Sequence, residues 1–455
     1  MKILIVSCVD DNFGDNLIRI CFEKILRTVL TNLRVDLSSV ELAKMSLKAI
    51  DSDMICSSDM IVFAGGGLFG INYMHYYDYM EEITRIADEH NVPVVLSSMG
   101  VNNMGATPEN EHLLSEMLAR KCFYAVSVRE NPELFRRYAK GCDYEIVQVC
   151  DPAVWSKYIY HSHLIKVNRP QGKSVVGINA VRGGLFGDNG KPWKLADEMN
   201  YMNDMRRLLE ERGVDYAFYT NGSFLDNNSL LYFAMEFDIP KERIIIPQST
   251  RELVETIYGF TLVAAIRMHS SIISYALDVP SINLVWNDKI PFFYKNIGYP
   301  DRAASFDEWS AEYAVGRLSK IEKDPSYETD SRYLMTLYDF LYDLMSRFMK
   351  LGDRSGEKYD FEQVRDSLMN DPVSLQEDAD ELVIKVQKGE KHYLSRFVEM
   401  KKKDKEFRQN KKDLERKDKE IERLKRELNK LNKLFVVRAY KKIRSLKKQI
   451  FNVKK

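Results

Sequence analysis

The sequence predicts an α/β protein of two Rossmann-type lobes with parallel sheets, followed by a helical region and a C-terminal coiled coil. Three observations carry this. Short β-rich apolar runs alternate with stretches of helical periodicity over the first 150 residues, as in a parallel sheet covered on both faces. The alternation restarts near residue 174, after the polar stretch "HLIKVNRPQGK". Beyond residue 399, apolar side chains recur at 407, 414, 421, 428 and 435, a strict heptad.

In the first lobe, residues 1–165, the runs "KILIVSCV" (2–9), "MIVFA" (60–64), "VPVVLSS" (92–98), "CFYAVSV" (122–128) and "YEIVQVC" (144–150) read as strands. Between them, 15–30 and 72–90 have the apolar spacing of helices. In the second lobe, residues 173–307, strands are expected at 174–180, 215–222, 261–266 and 280–286, with helices at 199–213, 251–260 and 270–278. Residues 308–394 are mainly helical and polar. In the coiled coil, 399–435, Leu424 and Leu431 supply the second seam position, but Asn410 and Lys417 occupy its earlier sites, so the seam is strong only from 414 onward. The tail, 436–455, holds eight Lys or Arg and no acid. Ala439, Ile443, Leu446 and Ile450 share one helical face there, a pattern suited to an anionic membrane surface; a basic irregular tail is the plainer alternative.

Formal net charge is zero over 455 residues, so nothing draws the whole chain to nucleic acid. No apolar run reaches the ~18 residues of a membrane span. The N-terminal apolar stretch is short and ends in acids, unlike a secretion signal. The expected location is cytoplasmic, with peripheral attachment at the inner face of the membrane if the basic tail acts as an anchor. The six cysteines lack C-x-x-C spacing and do not cluster with histidines; buried reduced thiols are expected, with no metal and no cofactor.

The chemistry concentrates where strands end. Arg267 and His269 stand where an apolar strand gives way to a helix. A helix N-terminus favours an anion, Arg267 adds a bidentate donor, and His269 can exchange a proton near neutral pH. Gly14-Asp15-Asn16 follows the first strand, and Gly65-Gly66-Gly67 follows another, offering bare backbone to a ligand. Arg129, Asp151, Asn179 and Asn221 each end a strand, and Lys289 follows the strand after the Arg-His pair. Singly, each reads as well as a turn residue or a surface ion pair. Together, at the carboxyl ends of strands in both lobes, they mark a ligand site between the lobes.

The stretches "GDNLI", "GGGLFG", "SSMGV", "VSVRE", "DPAVW", "TNGSFLD" and "IRMHSSIISYALDVPSINLVWNDK", spread in order over roughly residues 1–300, resemble the polysaccharide pyruvyl transferases. The resemblance implies a GT-B-like fold and transfer of a pyruvyl group from phosphoenolpyruvate to two sugar hydroxyls, giving a cyclic ketal. It implies donor contacts by Arg267 and His269, with Arg129 as a second anion contact. His269 is then the candidate acid that protonates the donor methylene. Asp15 or Asp151 is the candidate base, and the sequence does not choose between them. Gly65, Gly66, Gly67 and Asn16 are expected on the donor side, and Asn179, Asn221 and Lys289 on the acceptor side. The expected partners are phosphoenolpyruvate, a glycan acceptor that a lipid-linked form would suit, a second copy of the chain through the coiled coil, and an anionic membrane surface through 436–455; nucleic acid is not expected. One alternative is a glycosyltransferase using a nucleotide sugar. The paired glutamates expected in the second lobe of retaining enzymes of that kind are missing, since no Glu lies between Glu255 and Glu308. The other is a non-catalytic coiled-coil scaffold, which would leave the Arg-x-His unexplained.

Overall fold

A computed structural model describes residues 1–373 apart from 9–11, 71–75, 103–106, 323, 325–326 and 353–355, and in the tail residues 424, 427, 430 and 439–444. Residues 1–373 form one unit and residues 374–455 a second. The described tail residues are helical. The rest of the expected coiled-coil seam and of the basic face lies outside the described residues.

The first sheet contains β1 (Lys2–Ser7), β2 (Glu41–Ser46), β3 (Met60–Gly70), β4 (Val94–Asn102), β5 (Phe123–Val128) and β6 (Ile146–Gln148). Its order is β2-β1-β3-β4-β5-β6, and every pairing is parallel. The second contains β7 (Val175–Asn179), β8 (Asp215–Tyr219), β9 (Ile244–Ile245), β10 (Leu262–Ala265), β11 (Ser281–Leu284) and β12 (Ala303–Ala304). Its order is β12-β11-β10-β7-β8-β9, again all parallel. These are the two Rossmann-type lobes of a GT-B-like architecture. Each sheet reverses its direction of growth once, between β1 and β3 in the first lobe and between β7 and β10 in the second. Crevices open at the carboxyl ends of the strands at such switch points.

The two-residue strands β9 and β12 were not expected, and two further details depart from the expected elements. β2 was not anticipated: "ELAKMS" is an edge strand with one buried residue, so it carries no apolar run. The glycines after "MIVFA" do not end their strand. β3 continues through them to Gly70, with a shift of register between Gly66 and Phe69.

Of the helices that bear on the site, α1 (Phe13–Asn32) begins the first lobe's crossover, with Asn12 Oδ1 accepting from the Gly14 N–H as its cap. In the second lobe, α2 (Phe224–Glu236), α3 (Thr250–Tyr258), α4 (Met268–Ala276) and α5 (Lys289–Asn296) pack around its sheet. Then α6 (Ala311–Ile321) joins the second lobe's apolar core, while α7 (Ser331–Phe348) and α8 (Phe361–Met369) join the core around α1. α1 is buried almost all round because of them. Its Lys24 reaches Asp371 at 3.0 Å, and Thr28 bonds Ser367 at 3.2 Å. The indole N–H of Trp155 donates to the Leu334 carbonyl at 3.1 Å. One apolar core thus runs from α1 through α3 and α4 to α7 and α8 and joins the lobes.

Four of the six cysteines are buried, Cys142 is half-buried and Cys56 is exposed. Burial pushes the Cys122 and Cys150 thiols up to about 12, which keeps them protonated and unreactive. No described helix is long and apolar enough to cross a membrane.

Candidate functional site

The two switch points meet across a cleft of about 240 Å³ whose walls include Asp15 and Gly67 from the first lobe and Arg267, His269 and Lys289 from the second. Arg129 enters from the end of β5, and Cys8, Asn12, Tyr76, Trp286 and Asn287 are among the other lining residues.

Arg267 is the cap residue of α4, at the end of β10. Asn179, at the end of β7, accepts its backbone N–H at 2.9 Å and that of Ile266 at 3.3 Å. The guanidinium is gripped by Asp226 on α2: Nε donates to Oδ2 at 3.0 Å and Nη2 to Oδ1 at 2.6 Å. Asp226 is fully buried and the Arg267 side chain about one-fifth exposed. Such a planar, two-point pair fixes the fork's direction.

Arg129 is buried and flanked by two buried carboxylates. Its Nε donates to Glu130 at 2.8 Å, and Nη1 pairs with Asp151. Burial opposes its charge, but Glu130 and Asp151 outweigh burial and hold it more firmly protonated. Asp151 also accepts the Ala153 N–H at 2.8 Å. Burial pushes the Glu130 carboxyl up against the opposing pull of Arg129 and Lys289. Its second oxygen is buried without a hydrogen-bond partner.

His269 is 8 % exposed, and its Nε2 has no hydrogen-bond partner. Burial lowers its pKa to about 4; Asp151 pulls the other way, and Arg129, Lys289 and Arg267 add to the fall. The imidazole is therefore neutral at pH 7. Lys289 is lowered to about 8 by burial, with Glu130 opposing and Arg129 assisting.

The structure brings together Arg129, Arg267, His269, Lys289, Asp15 and Gly67. It does not bring the other candidates to the cleft wall. Asp151 stands behind Arg129. Asn179 and Asn221 are fully buried: Asn179 donates to Asn221 at 3.0 Å, and Ser270 donates to the same oxygen at 2.7 Å. They brace the start of α4 from behind. Asn16 is buried within α1. Gly65 and Gly66 have φ of 77° and 95°, conformations that favour glycine, and shape the chain beneath Gly67. Two residues that sequence reasoning missed are Glu130 and Asp226. Both lie inside stretches already singled out, "VSVRE" and "TNGSFLD", where a carboxylate next to a strand-end arginine or after a turn was the available signal. Among the described residues no group of His, Cys, Asp and Glu is arranged to hold a metal.

Similar folds occur in solved structures. The UDP-GlcNAc 2-epimerase from Methanocaldococcus jannaschii matches with 11% identity over 76% of this chain and 99% of its own, at a TM-score of 0.49. The putative UDP-N-acetylglucosamine 2-epimerase from Listeria monocytogenes matches with 12% identity over 79% and 99%, also at 0.49. A comparison with curated proteins finds no match. A family model, "Polysaccharide pyruvyl transferase", matches residues 12–288, from the cap of α1 to the residue before Lys289, and so takes in most of the cleft. The match spans more than half of the chain, and the chain belongs to the polysaccharide pyruvyl transferase family.

Proposed function

We propose that the chain transfers a pyruvyl group from phosphoenolpyruvate to two hydroxyls of a cell-surface polysaccharide or its precursor, forming a cyclic ketal. The observation that carries this reading is the meeting of Arg129, Arg267, the N-terminus of α4 and His269 with Asp15 in one cleft. Phosphoenolpyruvate presents a phosphate and a carboxylate. Two arginines whose planes are fixed by buried carboxylates suit both, because a pre-oriented fork loses little freedom on binding.

The reaction needs one proton delivered and two removed. Protonation of the donor methylene makes C2 electrophilic. A sugar hydroxyl adds to C2 and gives up its proton, the C2–O bond to phosphate breaks, and a second hydroxyl closes the ketal. The products are the ketal and inorganic phosphate. His269 is the proposed acid. Its lowered pKa keeps it neutral at pH 7, so donor binding must bring the proton: an anionic phosphate beside the imidazole favours its charged form. Asp15 is the better placed of the two proposed bases, since it lines the cleft while Asp151 is committed to Arg129 and Ala153. Lys289 is proposed to meet the acceptor from the second lobe. A lipid-linked acceptor would give a purpose to the basic tail.

The test is incubation with phosphoenolpyruvate and extracted lipid-linked glycan. Release of inorganic phosphate together with a ketal methyl resonance supports the reading. Turnover of a nucleotide sugar, with no phosphate from phosphoenolpyruvate, replaces it with glycosyl transfer.

A further inference from the structure

His269 belongs to the second lobe, yet its ring lies against Gly14, in the first turn of α1. A Cβ on Gly14 would lie 2.2 Å from His269 Nδ1, 2.4 Å from Cγ and 2.6 Å from Cβ. The ring therefore occupies the place of the missing side chain. The collision would involve the base of the ring, which cannot swing aside as the tip of a long side chain can. The next residue along α1 is Asp15, which lines the cleft.

The same turn is held by the second lobe at another point. The Phe13 N–H donates to the Asn221 carbonyl at 3.0 Å. The Phe13 ring fills the space beside Gly222, where a Cβ would come within 2.1 Å of it. Asn221 is in turn tied to Ser270 at the start of α4, one residue from His269. The start of α1 thus interlocks with the second lobe at two places, Gly14 against the His269 ring of α4 and the Phe13 ring against Gly222 in the loop before α2.

We propose that Gly14 is a positioning residue for the reaction: by carrying no side chain it lets His269 of one lobe seat against the turn that carries Asp15 of the other, so that acid and base share one cleft only when the lobes are docked. This rests on the roles given above to His269 and Asp15. The contact also accounts for the ring's surroundings. Seated on the first turn of α1, the imidazole faces a helix N-terminus, which disfavours its protonation. The charged side chains around it are Arg129, Asp151, Arg267 and Lys289, with Asp15 on that same first turn of α1. Undocking removes both burial and the helix end.

The experiment is Gly14→Ala in the full chain, with Gly316→Ala as control. Gly14 has no positive φ and lies in a helix, so alanine is conformationally acceptable there. Gly316 has nothing within 4 Å of where its Cβ would be. Three quantities are read: the His269 titration by imidazole NMR, the radius of gyration by solution scattering, and kcat. The expected result for Gly14→Ala is a folded protein with a larger radius of gyration. Its His269 should titrate closer to an ordinary histidine, and kcat should fall by ~10²-fold, the usual consequence of a misplaced catalytic group. Gly316→Ala should match the wild type. A folded Gly14→Ala protein with an unaltered titration and radius overturns the proposal. If Gly14→Ala does not fold, the double variant Gly14→Ala/His269→Ala decides: recovery of folding identifies the ring collision and supports the proposal, and failure to recover overturns it. The titration and scattering need no turnover. A shift in both, with no reaction of phosphoenolpyruvate in the wild type, would sink the assigned reaction and leave the docking contact standing.

Discussion

Arg267 and Asp226 form a two-point ion pair between the end of β10 and α2, with the carboxylate fully buried and the guanidinium partly open to the cleft. Arg267→Ala should therefore do two things. Donor affinity should fall by ~2–5 kcal/mol, as for a desolvated charged hydrogen-bond partner. The protein should also lose stability, because Asp226 is left buried without its countercharge, keeping the Arg182 N–H at 2.8 Å. Arg267→Lys should restore the charge but not the fork, and so recover stability better than donor binding. Calorimetric titration with phosphoenolpyruvate and thermal melts separate the two effects. Unchanged donor affinity in a folded Arg267→Ala protein would remove Arg267 from the donor site.

His269→Gln keeps a polar group of similar size but cannot deliver a proton. Turnover should fall by roughly 10²–10⁴-fold, the usual worth of a general acid, with a much smaller effect on donor affinity. A loss of affinity alone, with saturated turnover intact, would make His269 a phosphate ligand.

The buried imidazole also predicts how stability depends on pH. An unfolded histidine takes up a proton near pH 6.5, but His269 in the folded chain resists until about 4. Between those values the unfolded state binds more protons, so stability is lost as pH falls through the window. The contribution is on the order of 3 kcal/mol across the whole window. Denaturant melts at pH 7, 6, 5 and 4 should therefore show a steeper loss in the wild type than in His269→Gln. Parallel curves would contradict the depressed pKa.

Asp15 and Asp151 should respond differently to the same change. Asp15→Asn should leave the melting temperature near that of the wild type and lower kcat, because Asp15 is at the cleft wall. Asp151→Asn removes one of the two buried charge partners of Arg129 and should lower the melting temperature more than Asp15→Asn does, though Glu130 still pairs with the guanidinium. If Asp15→Asn turns over at the wild-type rate, the base lies elsewhere.

Truncation after residue 398 should leave a folded body that still acts on a short soluble acceptor, because the cleft lies upstream. It should have a smaller oligomeric state and lose salt-sensitive binding to anionic vesicles, at ~1 kcal/mol for each basic residue engaged. Light scattering and vesicle sedimentation on both proteins decide this. A full-length protein that is monomeric and ignores anionic vesicles at low salt would rule out both roles of the tail.

The sequence by itself determined the two parallel-sheet lobes and the strand ends at which chemistry gathers. Both are local properties: apolar runs of strand length alternate with helical spacing, and the Arg267–His269 step interrupts one such run where a helix starts. β2 escaped because an edge strand with one buried residue has no apolar run to betray it. Only the tertiary structure decided which charges back which. Asp226 lies 41 residues before Arg267, and Asp151 lies 22 after Arg129, separations that no local pattern links. It also decided that Asn179 and Asn221, equally strand-end residues, point into the packing behind α4. A strand end supplies a position but not a direction, and direction depends on what the opposite lobe leaves room for. Gly14 shows the same dependence: its value to the site comes from the ring of a residue 255 positions later, which only the docking of the lobes brings against it.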